Sequence, residues 1–220
     1  MIPRETGLIL ALDVDWDVDK SAAFLGSIND LIDAAKIGWF QLLNIGPRGI
    51  RELVNKVGKY FLADLKLGDV SHINEYVIRR IHDLGINGII MHSVAGKDNL
   101  TGPVRVAREL GVDVYLLVSM SSGGELYDTY LEYNVELGVE LGVSGFVVPA
   151  TKPNVIRRVR SMVGGGYQLL SPGVGAQGGK PGCAIANGAD FEIVGRAILT
   201  SPDPRRTTLD FIDLVRKPSC

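Results

Sequence analysis

The densest chemistry in the chain lies in Ala63-Asp64-Leu65-Lys66-Leu67-Gly68-Asp69, where carboxylates flank a lysine. On a strand, residues two apart point to the same face, so Asp64 and Lys66 should project together. Asp69 falls past the strand end, in the following loop. Lys36 closes a neighbouring apolar run, which brings an alternating Lys-Asp-Lys-Asp array within reach. Flanking carboxylates favour an ammonium over a neutral amine. At ~4 Å and an effective dielectric near 20, each such contact is about 4 kcal/mol before desolvation. Lys66 is therefore expected to donate a proton. A Schiff-base lysine needs a neutral amine in an apolar setting and fits poorly. A salt-bridge network that only braces a rim is the structural alternative.

A second group of residues suits an anion. Ser171-Pro172-Gly173-Val174-Gly175-Ala176-Gln177-Gly178-Gly179 follows one apolar run, and Val194-Gly195-Arg196 ends the next. Glycines let backbone N–H groups approach a phosphate, and an arginine adds a bidentate charged contact. The Gln177–Pro181 stretch reads as a lid, with Gln177 reaching inward on closure.

The elements that must position these groups alternate from end to end. Strand-like runs cover Leu8–Asp13, Ala34–Gly38, Tyr60–Lys66, Gly88–His92, Val112–Ser119, Gly145–Pro149, Tyr167–Pro172 and Phe191–Gly195. Most are near-continuous apolar runs, as parallel strands covered on both faces are. Amphipathic segments between them include Asn74–Leu84, Lys97–Leu110, Glu125–Leu141 and Asn154–Val163. Eight strand-then-helix units predict an α/β fold, a single (β/α)₈ TIM barrel over residues 1–220. A doubly wound sheet would want a glycine-rich turn after its first strand, and Asp13-Val14-Asp15 is not one. Barrel chemistry sits at the C-terminal strand ends, where Asp13, Lys36, Asp64, Lys66, His92, Ser119, Ser121 and Arg196 all fall.

Composition narrows the partners. With 46% apolar and 22% charged residues and a net charge of −2, the chain has no bulk attraction for nucleic acid or anionic membranes. Its longest apolar runs fall far short of the ~20 residues that span a bilayer. MIPRETG runs directly into a strand-like segment, so no signal peptide is expected and the cytoplasm is the expected compartment. Cys183 and Cys220 form no metal pattern and read as two unrelated thiols, a bridge being the lesser alternative. His92 reads as a second-layer histidine and Arg205-Arg206 as a solvated helix start.

With these residues in view, the chain resembles the orotidine 5′-monophosphate decarboxylase family. ADLKLGDV is similar to its Asp-x-Lys-x-x-Asp motif, and SPGVGAQGG with IVGR to its phosphate lid and closing strand. LALDV, AAKIG and Met120-Ser121 match as well, so the likeness runs from Leu8 to about Ala197 in the correct order. The Asp-Lys-Asp part is shared with ketogulonate-phosphate decarboxylase and hexulose-phosphate synthase, whereas PGVGAQGG is much more specific to the orotidylate branch.

The resemblance implies a cofactor-free conversion of orotidine 5′-monophosphate to UMP, with no metal. The catalytic set it implies is Lys66, Asp64, Asp69 and Lys36. Its substrate-binding set is Asp13, Lys36, Ser121, Pro149, Gln177, Gly195 and Arg196. Lys66 would protonate C6 with Asp64 beside the departing carboxylate, and Lys36 and Asp13 would hold the ribose. Asp69 would reach the partner's site, which implies a homodimer. Ser121 would meet the pyrimidine amide edge, and Gln177, Gly195 and Arg196 the phosphate side. Two departures stand out. Ile73 occupies the usual threonine position after Asp69, and Ser121-Ser122-Gly123-Gly124 replaces a loop that often carries His-Pro. A magnesium-dependent sugar-phosphate enzyme and a non-catalytic nucleotide-binding barrel are the rival readings.

Overall fold

The protein is described by a computed structural model covering residues 1–218 and 220. Eight parallel strands close in sequence order into a barrel: β1 (Leu8–Ala11), β2 (Ala34–Gly38), β3 (Tyr60–Leu67), β4 (Gly88–His92), β5 (Asp113–Leu117), β6 (Gly145–Val147), β7 (Gln168–Pro172) and β8 (Phe191–Val194). Around them run α1 (Val18–Ile28), α2 (Trp39–Val57), α3 (Ser71–Asp83), α4 (Lys97–Leu110), α5 (Glu125–Thr129), α6 (Leu131–Leu141), α7 (Pro153–Val163), α8 (Cys183–Ala186), α9 (Arg196–Leu199) and α10 (Pro204–Arg216). The (β/α)₈ expectation holds.

The strands are largely apolar because each packs on two layers. Ile9, Leu62, Ile90, Tyr115, Leu117 and Phe191 fill the barrel interior. Leu8, Leu10, Phe61, Ile89 and Leu116 face the helices instead. The N-terminal floor is closed by polar pairs: the Tyr60 hydroxyl donates to Asp113 at 2.7 Å and that of Tyr115 to Gln168 at 2.7 Å. That leaves the opposite face for chemistry. Helix ends follow local rules. The Asp17 carboxylate caps α1 by accepting from the Lys20 amide at 2.8 Å. Pro47 removes a backbone donor inside α2, and the chain kinks at Gly46.

Three expectations need correction. The Glu125–Leu141 segment is not one helix: Tyr130, at φ −107° and ψ 27°, breaks it into α5 and α6. Several strands stop one or two residues early, β1 at Ala11 and β6 at Val147, because the chain leaves the ladder to form the mouth loops. The cysteines are not unrelated thiols, since Cys183 and Cys220 form a disulfide with Cα atoms 5.7 Å apart. Packing explains the pairing. Gly182 lies so close to α10 that a Cβ there would overlap the Leu214 carbonyl, and this brings the tail over α8.

Candidate active site

The C-terminal mouth holds a cavity of about 510 Å³, within the usual range for a small-molecule site. Asp13, Lys36, Asp64 and Lys66 line one wall; Ser119, Met120 and Ser121 line another. Pro172, Gly173, Gln177, Gly195 and Arg196 close the third side, and Ile90, Leu117, Val147 and Ile193 form an apolar floor.

The charged wall is one continuous chain. Lys36 Nζ lies 3.3 Å from Asp13 and 2.9 Å from Asp64 Oδ2, while Lys66 Nζ lies 2.7 Å from Asp64 Oδ1. Register explains the neighbourhood: β2 and β3 pair Lys36 with Leu62 and Gly38 with Asp64. Burial alone would depress the Lys36 ammonium, but Asp64 and then Asp13 outweigh it and hold it above the ordinary lysine range. Burial likewise pushes Asp64 up, and Lys36 and Lys66 outweigh it, leaving the carboxyl below its usual range. Both groups are thus held charged in a largely desolvated wall.

Alternation along β3 gives the right face for Asp64 and Lys66 but omits how they are aimed. Between β3 and β4, Ala63 pairs with Ile89 and the next pair is Leu67 with Met91, so two extra β3 residues arch out of the ladder. Lys66 sits at φ 48°, the one non-glycine residue with positive φ among those described. Such backbone costs about 1–3 kcal/mol and persists where surrounding structure enforces it. Here the bulge leans both charges into the mouth.

Asp69 does not join the array within one chain. It is exposed, its carboxylate accepts from the Val70 amide at 2.7 Å, and it is not among the cavity-lining residues. The buried Asn74 fixes its loop, donating to the Asp69 carbonyl at 2.6 Å. Apolar side chains are also exposed on the helices before and after β3: Trp39, Phe40 and Leu43 on α2, and Val70, Ile73 and Tyr76 at α3.

Across the cavity, the chain from Gly173 to Gly179 folds back on itself, with the Gly179 amide donating to the Gly173 carbonyl at 3.0 Å. A Cβ on Gly179 would fall 2.8 Å from that carbonyl oxygen and 2.9 Å from Ala150, so only glycine fits. Gln177 hangs from this exposed turn over the cavity, and Arg196 opens α9 across from it. Beyond the turn, the buried Glu192 carboxylate accepts from the Gly182 and Ala184 amides, both at 2.9 Å, and anchors the downstream end. Pro149 is buried but lies outside the cavity lining. Arg205 is not at the mouth either; it pairs with Asp30 at 2.7 Å.

His92 sits behind the array. Its Nδ1 meets the Tyr127 hydroxyl, and burial, then Lys66, hold the ring below the usual histidine range. Sequence reasoning missed Phe40, which lines the cavity, and the pair Asp128–Lys152 behind Ser119. Lys152 stands in the loop after a strand, a position where a charge is informative. Asp128, inside a helical pattern, carries no such signal.

Strands, bulge and glycine turn together define a (β/α)₈ barrel whose mouth pairs a charged wall with a glycine-rich loop. The family model for orotidine 5′-phosphate decarboxylase / HUMPS matches residues 6–211, and the chain belongs to that family. An orotidine 5′-phosphate decarboxylase from Methanococcoides burtonii is 35% identical over 96% of this chain and 97% of the relative. One from Thermoplasma volcanium is 37% identical over 90% of this chain and 87% of its own length. The crystal structure of orotidine 5′-monophosphate decarboxylase from Methanocaldococcus jannaschii, complexed with the inhibitor BMP, superposes with TM-score 0.88. It is 28% identical, covering 99% of this chain and all (100%) of that one. Among the described residues, no helix is long and apolar enough to cross a membrane.

Proposed function

We propose that the protein is a carboxy-lyase converting orotidine 5′-monophosphate to UMP and CO₂ in pyrimidine biosynthesis, without a cofactor. The observation that carries the reading is the continuous Asp13–Lys36–Asp64–Lys66 chain facing a glycine loop with Arg196 across one cavity. Losing CO₂ from C6 leaves an electron pair with no adjacent carbonyl to accept it. Preorganised charge is the remaining lever, since it costs no reorganisation at the moment of reaction.

In this reading the phosphate rests on the Gly173–Gly179 turn, Gly195 and Arg196, with Gln177 bridging to the pyrimidine. Gripping it draws the lid closed, so binding energy far from C6 assembles the site. Lys36 and Asp13 hold the ribose hydroxyls, and Ser121 meets the base's amide edge. Asp64 lies beside the substrate carboxylate. The C6–carboxylate bond breaks, its electrons stay on C6, and the Lys66 ammonium delivers the proton that forms C6–H. Solvent then reprotonates Lys66.

The working unit in this account is a homodimer. The exposed apolar residues Trp39, Phe40, Leu43, Val70, Ile73 and Tyr76, on the helices before and after β3, form a surface a second copy would cover while Asp69 reaches the partner's ribose. The enzyme would work in the cytoplasm on a free nucleotide, with neither nucleic acid nor membrane as partner. A magnesium enediolate enzyme would want a carboxylate at the end of β4, where His92 instead engages Tyr127. Turnover in D₂O tests the chemistry: UMP should carry one deuterium at C6, and product with hydrogen there would refute delivery by an exchangeable lysine proton.

A further inference from the structure

Behind the wall formed by Ser119, Met120 and Ser121 lies a polar cluster that the chemistry above does not use. The Ser119 hydroxyl, fully buried, donates to Asp128 Oδ1 at 2.7 Å. The Lys152 ammonium, from the loop after β6, donates to Asp128 Oδ2 at 2.5 Å and lies 3.5 Å from the Ser119 hydroxyl. Thr151, next to Lys152, donates to the Ser121 carbonyl at 3.5 Å. Neither Asp128 nor Lys152 lines the cavity.

The loop they hold has little stiffness of its own. After Ser121 and Ser122 come Gly123 at φ 63° and Gly124 at φ 86°, residues with the widest backbone freedom. A recognition element followed by two glycines loses affinity to ordering unless something else fixes it. Helix α5, only five residues long, supplies that anchor from two sides. The buried Tyr127 engages His92 at the end of β4, and the adjacent Asp128 engages Ser119 at the end of β5. Burial pushes the Asp128 carboxyl up, yet the Lys152 and Ser119 hydrogen bonds outweigh it and keep the group ionised.

We propose that Asp128, braced by Lys152, is a positioning residue that sets the Ser119–Ser121 loop for recognition of the nucleobase edge. The inference rests on the decarboxylase reading for the identity of the base. It makes base affinity depend on a pair outside the cavity, while the phosphate end stays independent of it.

The test compares Asp128→Ala and Lys152→Met with the native enzyme. Four quantities are read: KM and kcat for orotidine 5′-monophosphate, and inhibition by UMP and by ribose 5-phosphate, which has no base. Both variants should raise KM and the UMP inhibition constant by about tenfold, equivalent to ~1.4 kcal/mol. Ribose 5-phosphate inhibition should stay within about twofold of native, because its contacts are those of the phosphate loop. Equal weakening of UMP and ribose 5-phosphate, or no change in either, would overturn the proposal. Lys152→Met, which keeps most of the side chain's length, keeps the test open should Asp128→Ala not fold. Native protein that binds UMP but does not decarboxylate its precursor would instead defeat the decarboxylase reading, and the UMP against ribose 5-phosphate contrast would still report on the loop.

Discussion

Replacing Lys36 with methionine keeps most of the side chain's length and removes its charge from between two carboxylates. The Lys36 and Asp64 side chains are only 7% and 12% exposed, so solvent screens their contact little. At 2.9 Å and an effective dielectric near 20, that contact is about 6 kcal/mol before desolvation. Asp13, with 43% of its side chain exposed, adds a weaker, more screened share. Once desolvation is subtracted, breaking such a pair and leaving Asp64 uncompensated costs about 3–5 kcal/mol.

The pH dependence follows from the direction of each shift. Asp64 is depressed in the native state, so its contribution is present above the unfolded carboxylate value of about 4 and is lost as pH falls through the lower folded value. Lys36 is raised, so its contribution is complete below about 10.5 and is lost as pH rises through the higher folded value. The array therefore stabilises the fold across the whole range between. In Lys36→Met, burial acts on Asp64 against Lys66 alone, and its carboxyl moves up. Urea unfolding at pH 7 should show the variant about 3–5 kcal/mol less stable than native, with the gap narrowing near pH 4 as Asp64 takes up a proton. Equal stability at pH 7, within about 0.5 kcal/mol, would refute the claim that Lys36 compensates a buried charge.

Three further outcomes follow from the same structure. Cys220→Ser, or reduction, releases a 37-residue closure and should lower stability by about 3–4 kcal/mol, read as a reduced Tm with and without dithiothreitol. Arg196→Ala should weaken UMP inhibition by about 10²-fold while leaving that of uridine unchanged; equal loss for both would remove Arg196 from the phosphate site. Mixing inactive Lys66→Ala and Asp69→Ala proteins should restore about one quarter of native activity, since half the reassorted dimers hold one intact site. No recovery after subunit exchange would place Asp69 outside the partner's site.

Much of this was legible because the relevant signals are local. Near-continuous apolar runs such as Ala34–Gly38 and Gly88–His92 mark strands packed on both faces. Asp64 and Lys66 stood out because charge at the end of a buried strand needs a reason, and the Gly173–Gly179 turn because its glycines cluster. What stayed hidden depends on contacts distant in sequence. The bulge that aims Lys66 arises from pairing with β4, and no residue type near Lys66 announces a positive φ. The break at Tyr130 lies within an unbroken helical pattern. The disulfide requires the close approach of Gly182 to α10, which spacing cannot convey. Asp128 meets Lys152 only because two successive barrel loops converge.

The central claim is that Lys66, held beside Asp64, delivers a proton to C6 of orotidine 5′-monophosphate. The most direct test is loss of the pyrimidine absorbance on mixing that substrate with chelator-treated protein, native and Lys66→Ala side by side. The account predicts rapid conversion to UMP by the native enzyme, undiminished by chelation, and a variant that still binds UMP but turns over at least ~10³-fold more slowly. Native protein that needs added magnesium, or a Lys66→Ala variant that decarboxylates at a comparable rate, would contradict it.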